Sequence, residues 1–173
     1  KAVEVLRKQG QKVAAKRADR DSTEGAVIAK INGEQTKGII IALNCETDFV
    51  AKNEAFVAMA NEIADLALTV NSKEELLALP YAGITVGEKL IEQTGVIGEK
   101  IEIGTFQALE GAIVNSYIHA GNKIGAVVSL SANVEGASEV ARDVAMQVAA
   151  MNPVALDETQ VSQDVIDKEL EIE

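Results

Sequence analysis

The sequence predicts an α+β fold: internally duplicated units of antiparallel β-sheet packed with helices, preceded by a helical segment and followed by the start of a further helix. Three observations predict it. Two β-branched runs flank Asn32-Gly33 and are followed by apolar residues at helical spacing. The same order of patterns returns 85 to 87 residues later. A basic segment with little to bury comes first, and an amphipathic helical pattern is still running at the last residue.

Each element follows from local chemistry. Ala2, Val3, Val5 and Leu6 form a short helical stripe, for which Gly10 is the expected C-cap. Gln11–Arg20 continues as a basic helix or linker, so the compact body is expected to begin near Thr23. Gly25–Ile31 reads as a strand, Asn32-Gly33 as a hairpin turn with positive φ, and Gly38–Leu43 as the partner strand. From Thr47 the period changes: Phe56, Ala60, Ile63, Ala67 and Val70 recur at helical spacing. Thr47 can cap this helix and Asp48 then sits in its first turn, where the macrodipole favours an anion.

Ser72-Lys73-Glu74-Glu75 reads as a capping box for a short helix stopping near Pro80. Thr85-Val86-Gly87-Glu88 is a second, opening a helix expected to end around Thr94-Gly95. Lys100–Phe106 alternates like a third strand. Glu24-Gly25-Ala26-Val27 is then answered by Glu110-Gly111-Ala112-Ile113. A second hairpin follows, Ile113–His119 and Ile124–Leu130 around Ala120-Gly121-Asn122. Met59–Ala64 is answered by Val144–Ala149. After Met151-Asn152-Pro153 the helix breaks, and Ser162 can cap a last one carrying Val165, Ile166 and Leu170.

Composition narrows the function classes. The chain has 173 residues, 47% of them apolar but only 3% aromatic, so Ala, Val, Ile and Leu must pack the core. No run of 18 apolar residues marks a membrane span. One cysteine, Cys45, cannot form an internal disulfide and fits a reducing cytoplasm; one histidine, His119, argues against a zinc site. Residues 1–20 carry net charge +5 and the remainder −16, so the body repels phosphate backbones and no direct nucleic-acid partner is expected. The start at Lys1 and the end in mid-pattern at Ile172-Glu173 read as a fragment or a processed chain.

Catalytic patterns are missing. The sequence has no P-loop, no Gly-x-Gly-x-x-Gly after a strand and no Gly-x-Ser-x-Gly elbow. Its acidic residues are scattered, with Glu99 and Glu102 read on opposite phases of a strand. A nucleophile reading would pair Cys45 with His119 and Asp48 as a hydrolase, but a thiol ending an apolar strand is more often an inert core residue. The expectation is a non-enzyme with no cofactor and no metal.

The remaining signal is Asn44-Cys45-Glu46-Thr47-Asp48-Phe49-Val50-Ala51-Lys52-Asn53. Phe49 lies seven residues before Phe56, about 20° off its face on an ideal helix, so periodicity alone places it in the core. Two points weaken that placement: in the first turn a side chain can overhang the core, and the neighbouring Asp48 has to stay hydrated. The second half has Asn133-Val134-Glu135-Gly136 where the first has Thr-Asp-Phe-Val, so the pair is not a general need of the fold unit.

This ten-residue stretch resembles the signature of the translation elongation factor Ts family. So do Gly38–Leu43, Ile97-Gly98-Glu99-Lys100-Ile101, Ser116–Gly121, Ile124–Val128 and Val144–Ala149. The resemblance implies a guanine nucleotide exchange factor for elongation factor Tu, in its GDP-bound and nucleotide-free states. It implies four regions: 1–22 as the end of an N-terminal helical domain and linker, 23–109 as a core N-subdomain, 110–156 as an incomplete core C-subdomain, and 157–173 as the start of a coiled-coil insertion. It implies that Asp48 and Phe49 push in near the partner's magnesium and nucleotide, with Thr47 and Val50 beside them. Ile97, Gly98, His119 and Met146 are further implied contact positions. The alternative is a non-catalytic oligomerisation or scaffold protein, with a homodimer through the terminal helix.

Overall fold

The computed structural model describes residues 2–172. The first helix, α1 (Ala2–Arg17), is continuous through Gly10, which is buried rather than a cap. The side chains of the Ala2, Val3, Val5 and Leu6 stripe lie outside the described residues. Gly10 has a packing role. A Cβ on Gly95 would stand 2.5 Å from the Gly10 Cα, so α1 crosses helix α5 (Val86–Ile97) in backbone contact. The folded body therefore includes the basic segment instead of beginning after it.

Strands β1 (Glu24–Ile31) and β2 (Lys37–Cys45) pair antiparallel, and β5 (Glu102–Glu110) joins the other edge of β2. Alternation sets the faces. Ala26, Ile28, Ile39, Ile41, Leu43, Cys45 and Ile103 point to one side and are at most 4% exposed. The β1–β2 connection is longer than a two-residue turn. Asn32 Oδ1 accepts from the Thr36 and Lys37 amides at 2.9 and 3.0 Å, and Gln35, not Gly33, takes the positive φ of 55°. The side chain of Asn32 thus closes the loop where a type I′ turn was expected. In β5 the register slips between Ala42 and Leu43 of its partner, leaving Gly104 as the bulged residue. A Cβ there would meet the Asn44 amide at 2.4 Å, and that amide donates to the Ser22 carbonyl at 2.8 Å.

The helix expected from Thr47 onward is two helices, α2 (Asp48–Ala51) and α3 (Glu54–Ala67). Asn53 interrupts them, accepting from the Ala55 and Phe56 amides at 2.9 and 3.3 Å as the cap of α3. Helix α3 lays Phe56, Ala60, Ile63, Ala64 and Ala67 on the buried face of the sheet. Helix α4 (Lys73–Ala78) starts at Ser72, whose Oγ accepts from the Glu75 amide at 3.2 Å. Glu75 accepts from Asn71 rather than from Ser72, so this capping box is only half formed. A two-residue hairpin, β3 (Pro80–Tyr81) with β4 (Ile84–Thr85), turns at Ala82-Gly83 with φ of 52° and 84°. The sequence reading had no hairpin here. Helix α5 has its full capping box at Thr85/Glu88 and runs past Gly95 to a left-handed Gly98 at φ 81°.

A second hairpin, β6 (Ile113–Ile118) with β7 (Gly125–Leu130), is followed by α6 (Ala137–Met151). Hairpin-then-helix thus occurs twice, the second sheet having two strands where the first has three. Ala137, Ala141 and Ala145 bury the small-residue face of α6. The hairpin lies on the outer face of the first sheet: a Cβ on Gly125 would meet Ile40 at 3.2 Å, and one on Gly38 would meet Val114 and Val127 below 3.0 Å. The Val27 amide donates to the Asn122 carbonyl at 2.7 Å, and Lys123 pairs with Glu24. Asn152 at φ 45° ends α6. After a 3-10 turn at Glu158–Gln160, helix α7 (Gln163–Ile172) leaves Leu170 66% exposed. No helix among the described residues is long and apolar enough to cross a membrane.

Candidate functional site

β2 ends at Cys45, and two residues later Thr47 adopts extended φ/ψ and caps α2. Four residues make too short a helix to hold itself. Buried Ala51, with Val50 packed against the core, anchors its far end, and a pair of crossed carboxylates holds its start. Glu99, just after the Gly98 cap of α5, accepts from the Glu46 amide at 3.1 Å, the Thr47 amide at 3.0 Å and the Thr47 hydroxyl at 2.6 Å. Glu46 in return accepts from the Lys100 amide at 2.7 Å and from the Arg17 guanidinium at 2.8 and 2.9 Å. The Lys100 amide, then Arg17, holds the Glu46 carboxyl below the usual carboxylate range. Glu99 is therefore not an alternating strand residue as the sequence suggested; it lies before β5 and turns toward α2.

On this base Phe49 stands 84% exposed. The interruption at Lys52-Asn53 resets the helical phase, so the seven-residue relation to Phe56, itself 3% exposed, does not carry Phe49 inward. Asp48 is paired with Lys52 at 2.7 Å, which lowers its carboxyl pKa. Beside the ring lies an open apolar hollow of about 370 Å³, lined by Val50, Phe56, Met59, Val96 and Ile97 along with Phe49 itself. Val96 is 73% exposed. A ring and a neighbouring apolar depression, with a carboxylate at the rim, suit insertion between apolar side chains of another molecule.

The structure thus brings together Thr47, Asp48, Phe49, Val50, Ile97 and Gly98. Neither His119 nor Met146 lines the hollow. His119 is exposed at the end of β6 and meets the Tyr117 hydroxyl through Nδ1 at 3.0 Å. Met146 is 38% exposed on α6. Cys45 is fully buried, its thiol donates to the Thr47 carbonyl at 3.2 Å, and burial, with Glu99 adding to it, pushes its pKa up to about 11. That is an inert thiol, and the described partner of His119 is Tyr117, not Cys45. Among the described residues no cluster of three His, Cys, Asp or Glu could hold a metal. The residues that sequence reasoning missed are Glu46, Glu99, Arg17 and Lys52. Glu46, Glu99 and Lys52 lie inside the quoted motifs, but no spacing rule connects positions 46 and 99.

The chain is similar in sequence to known proteins over nearly its whole length. The sequence pattern of the family described as "Elongation factor TS" matches residues 46–173. Proteins named elongation factor Ts are similar along nearly the whole chain. That of Christiangramia forsetii is 66% identical over 171 residues, covering 99% of this chain and 62% of the relative. That of Flavobacterium psychrophilum is 63% identical with the same coverage, and that of Porphyromonas gingivalis is 47% identical over 175 residues. The chain spans about three-fifths of the length of these relatives. With most of its length matched and helix α2 inside that match, the chain belongs to the elongation factor Ts family.

Proposed function

We propose that this chain promotes GDP release from elongation factor Tu during translation elongation, by pressing Asp48 and Phe49 against the part of the partner that holds magnesium and nucleotide. The observation that carries the reading is the exposed Phe49 ring on a braced base. Family membership supplies the partner. An exchange factor breaks no covalent bond. It need only bind the nucleotide-free partner better than the GDP-bound one, and linkage then makes it weaken GDP by the same factor. Moving an exposed phenyl ring into an apolar pocket is worth about 1.5–3 kcal/mol. That is comparable with a typical coupling of about 1–3 kcal/mol, provided the pocket exists only in the opened partner.

His119 and Met146 are further contact positions in this proposal, on the β6–β7 and α6 unit. Two measurements test it. Pull-down on immobilised elongation factor Tu should capture the chain, and excess GDP should release it. Self-association without a nucleotide-sensitive partner would favour an oligomeriser instead. In stopped-flow assays of fluorescent GDP release, Phe49→Ala should slow stimulated release by about 30-fold, the equivalent of about 2 kcal/mol. Unchanged release would remove the wedge.

A further inference from the structure

We infer that Glu99 is a positioning residue for the Asp48–Phe49 wedge, holding the four-residue helix α2 in its working orientation through a clasp shared with Glu46. The inference rests on the exchange reading above and deepens it.

The clasp is reciprocal. The segment 46–47 gives two amides and a hydroxyl to Glu99, and the segment after α5 gives the Lys100 amide to Glu46. Six hydrogen bonds at the root of α2 therefore end on two carboxylates, counting the two from Arg17. Bonds to ionised acceptors are roughly twice as strong as neutral ones. They bind the start of α2 to the end of α5, the helix that contributes Val96 and Ile97 to the hollow beside Phe49. Ring and hollow are thereby held in one frame. Arg17 extends the frame to α1 through its paired contacts with Glu46.

Neither acid belongs to the apolar core. Glu99 acts through the backbone of residues 46 and 47. Without it α2 keeps its core anchor at Ala51 but its start is released, and the fraction of molecules with the ring correctly presented falls. If that fraction drops to about a tenth, apparent potency falls about tenfold.

A double-mutant cycle on the whole chain tests this, reading stimulated release of fluorescent GDP from the partner. Phe49→Ala alone must slow release; if it does not, the exchange reading fails and the present inference falls with it. With that established, Glu99→Ala should cost about tenfold in the parent and less than about twofold in the Phe49→Ala background. Equal losses in both backgrounds would mean that Glu99 does not act through the ring, and would overturn the inference while leaving the wedge intact. Glu99→Gln should stay within about threefold of the parent: its amide oxygen can accept from both backbone amides and its NH2 can donate to Thr47. Equal impairment of the Gln and Ala variants would also count against the clasp. Should Glu99→Ala not fold, as judged by circular dichroism at the assay temperature, Glu46→Ala enters the same cycle with the same expectation.

Discussion

Phe49 and Phe56 end in opposite environments because one asparagine lies between them. Asn53 starts a new helix by accepting two amides, and the phase of α2 is lost there. Asn53→Ala should lower stability by about 1 kcal/mol, the usual worth of a cap, read as a shift in denaturant midpoint at constant m. Phe49→Ala should leave stability within about 0.5 kcal/mol, since an 84% exposed ring holds nothing together. A large loss of stability would show that the ring packs inward in solution. Cys45 makes a pH prediction. Its folded pKa of about 11 lies above the ordinary value of 9.0, so the folded state keeps its proton longer than the unfolded one. The associated stability is fully present below pH 9 and is lost as pH rises to about 11. Cys45→Ala should flatten that part of the stability profile, and a thiol reagent at pH 7 should label the parent only as fast as it opens.

At the scale of elements, the glycines of α1 and α5 decide how two helices meet. Helix propensity alone would make alanine better than glycine by about 1 kcal/mol at either position. The crossing changes the sign at one of them. A Cβ on Gly95 would lie 2.5 Å from backbone, whereas a Cβ on Gly10 would meet its nearest atom, the Ile91 carbonyl oxygen, at 3.5 Å. Gly95→Ala should therefore destabilise by about 1–3 kcal/mol and Gly10→Ala should be neutral or stabilising. Thermal melts of the pair check both signs. The same glycines show why part of the fold was legible in the sequence and part was not. Strands β1 and β2 and the buried stripe of α3 follow from periods of two and 3.6, which local sequence records. Gly10 and Gly95 look like helix ends when read locally, because contact between two backbones 85 positions apart leaves no periodic trace. Glu99 was unreadable for the same reason. Phe49 was ambiguous until the interruption at Asn53 was known, although Asn53 is a common capping residue type.

Over the whole molecule, the second hairpin covers the outer face of the first sheet, so the two hairpin-plus-helix units share apolar surface. Val27 bonds to Asn122, Gln35 to Ser138 and Lys123 to Glu24 across the same boundary. Unfolding should be a single transition, with calorimetric and van't Hoff enthalpies equal. Gly125→Val, which would drive side-chain atoms into Ile118, Ile40 and the Tyr117 carbonyl, should split or broaden that transition. A variant that still melts sharply and at the parent temperature would mean that the units do not depend on each other.

The close crossing of α1 and α5 also restricts how this sequence can drift. Every change of a glycine to another amino acid adds at least a Cβ. At position 95 that group meets a wall of main chain, and at position 10 it meets space of ordinary van der Waals width. Saturation mutagenesis with selection for the folded protein should therefore admit alanine at 10 freely and deplete every replacement at 95, a lopsided tolerance between two neighbours that touch.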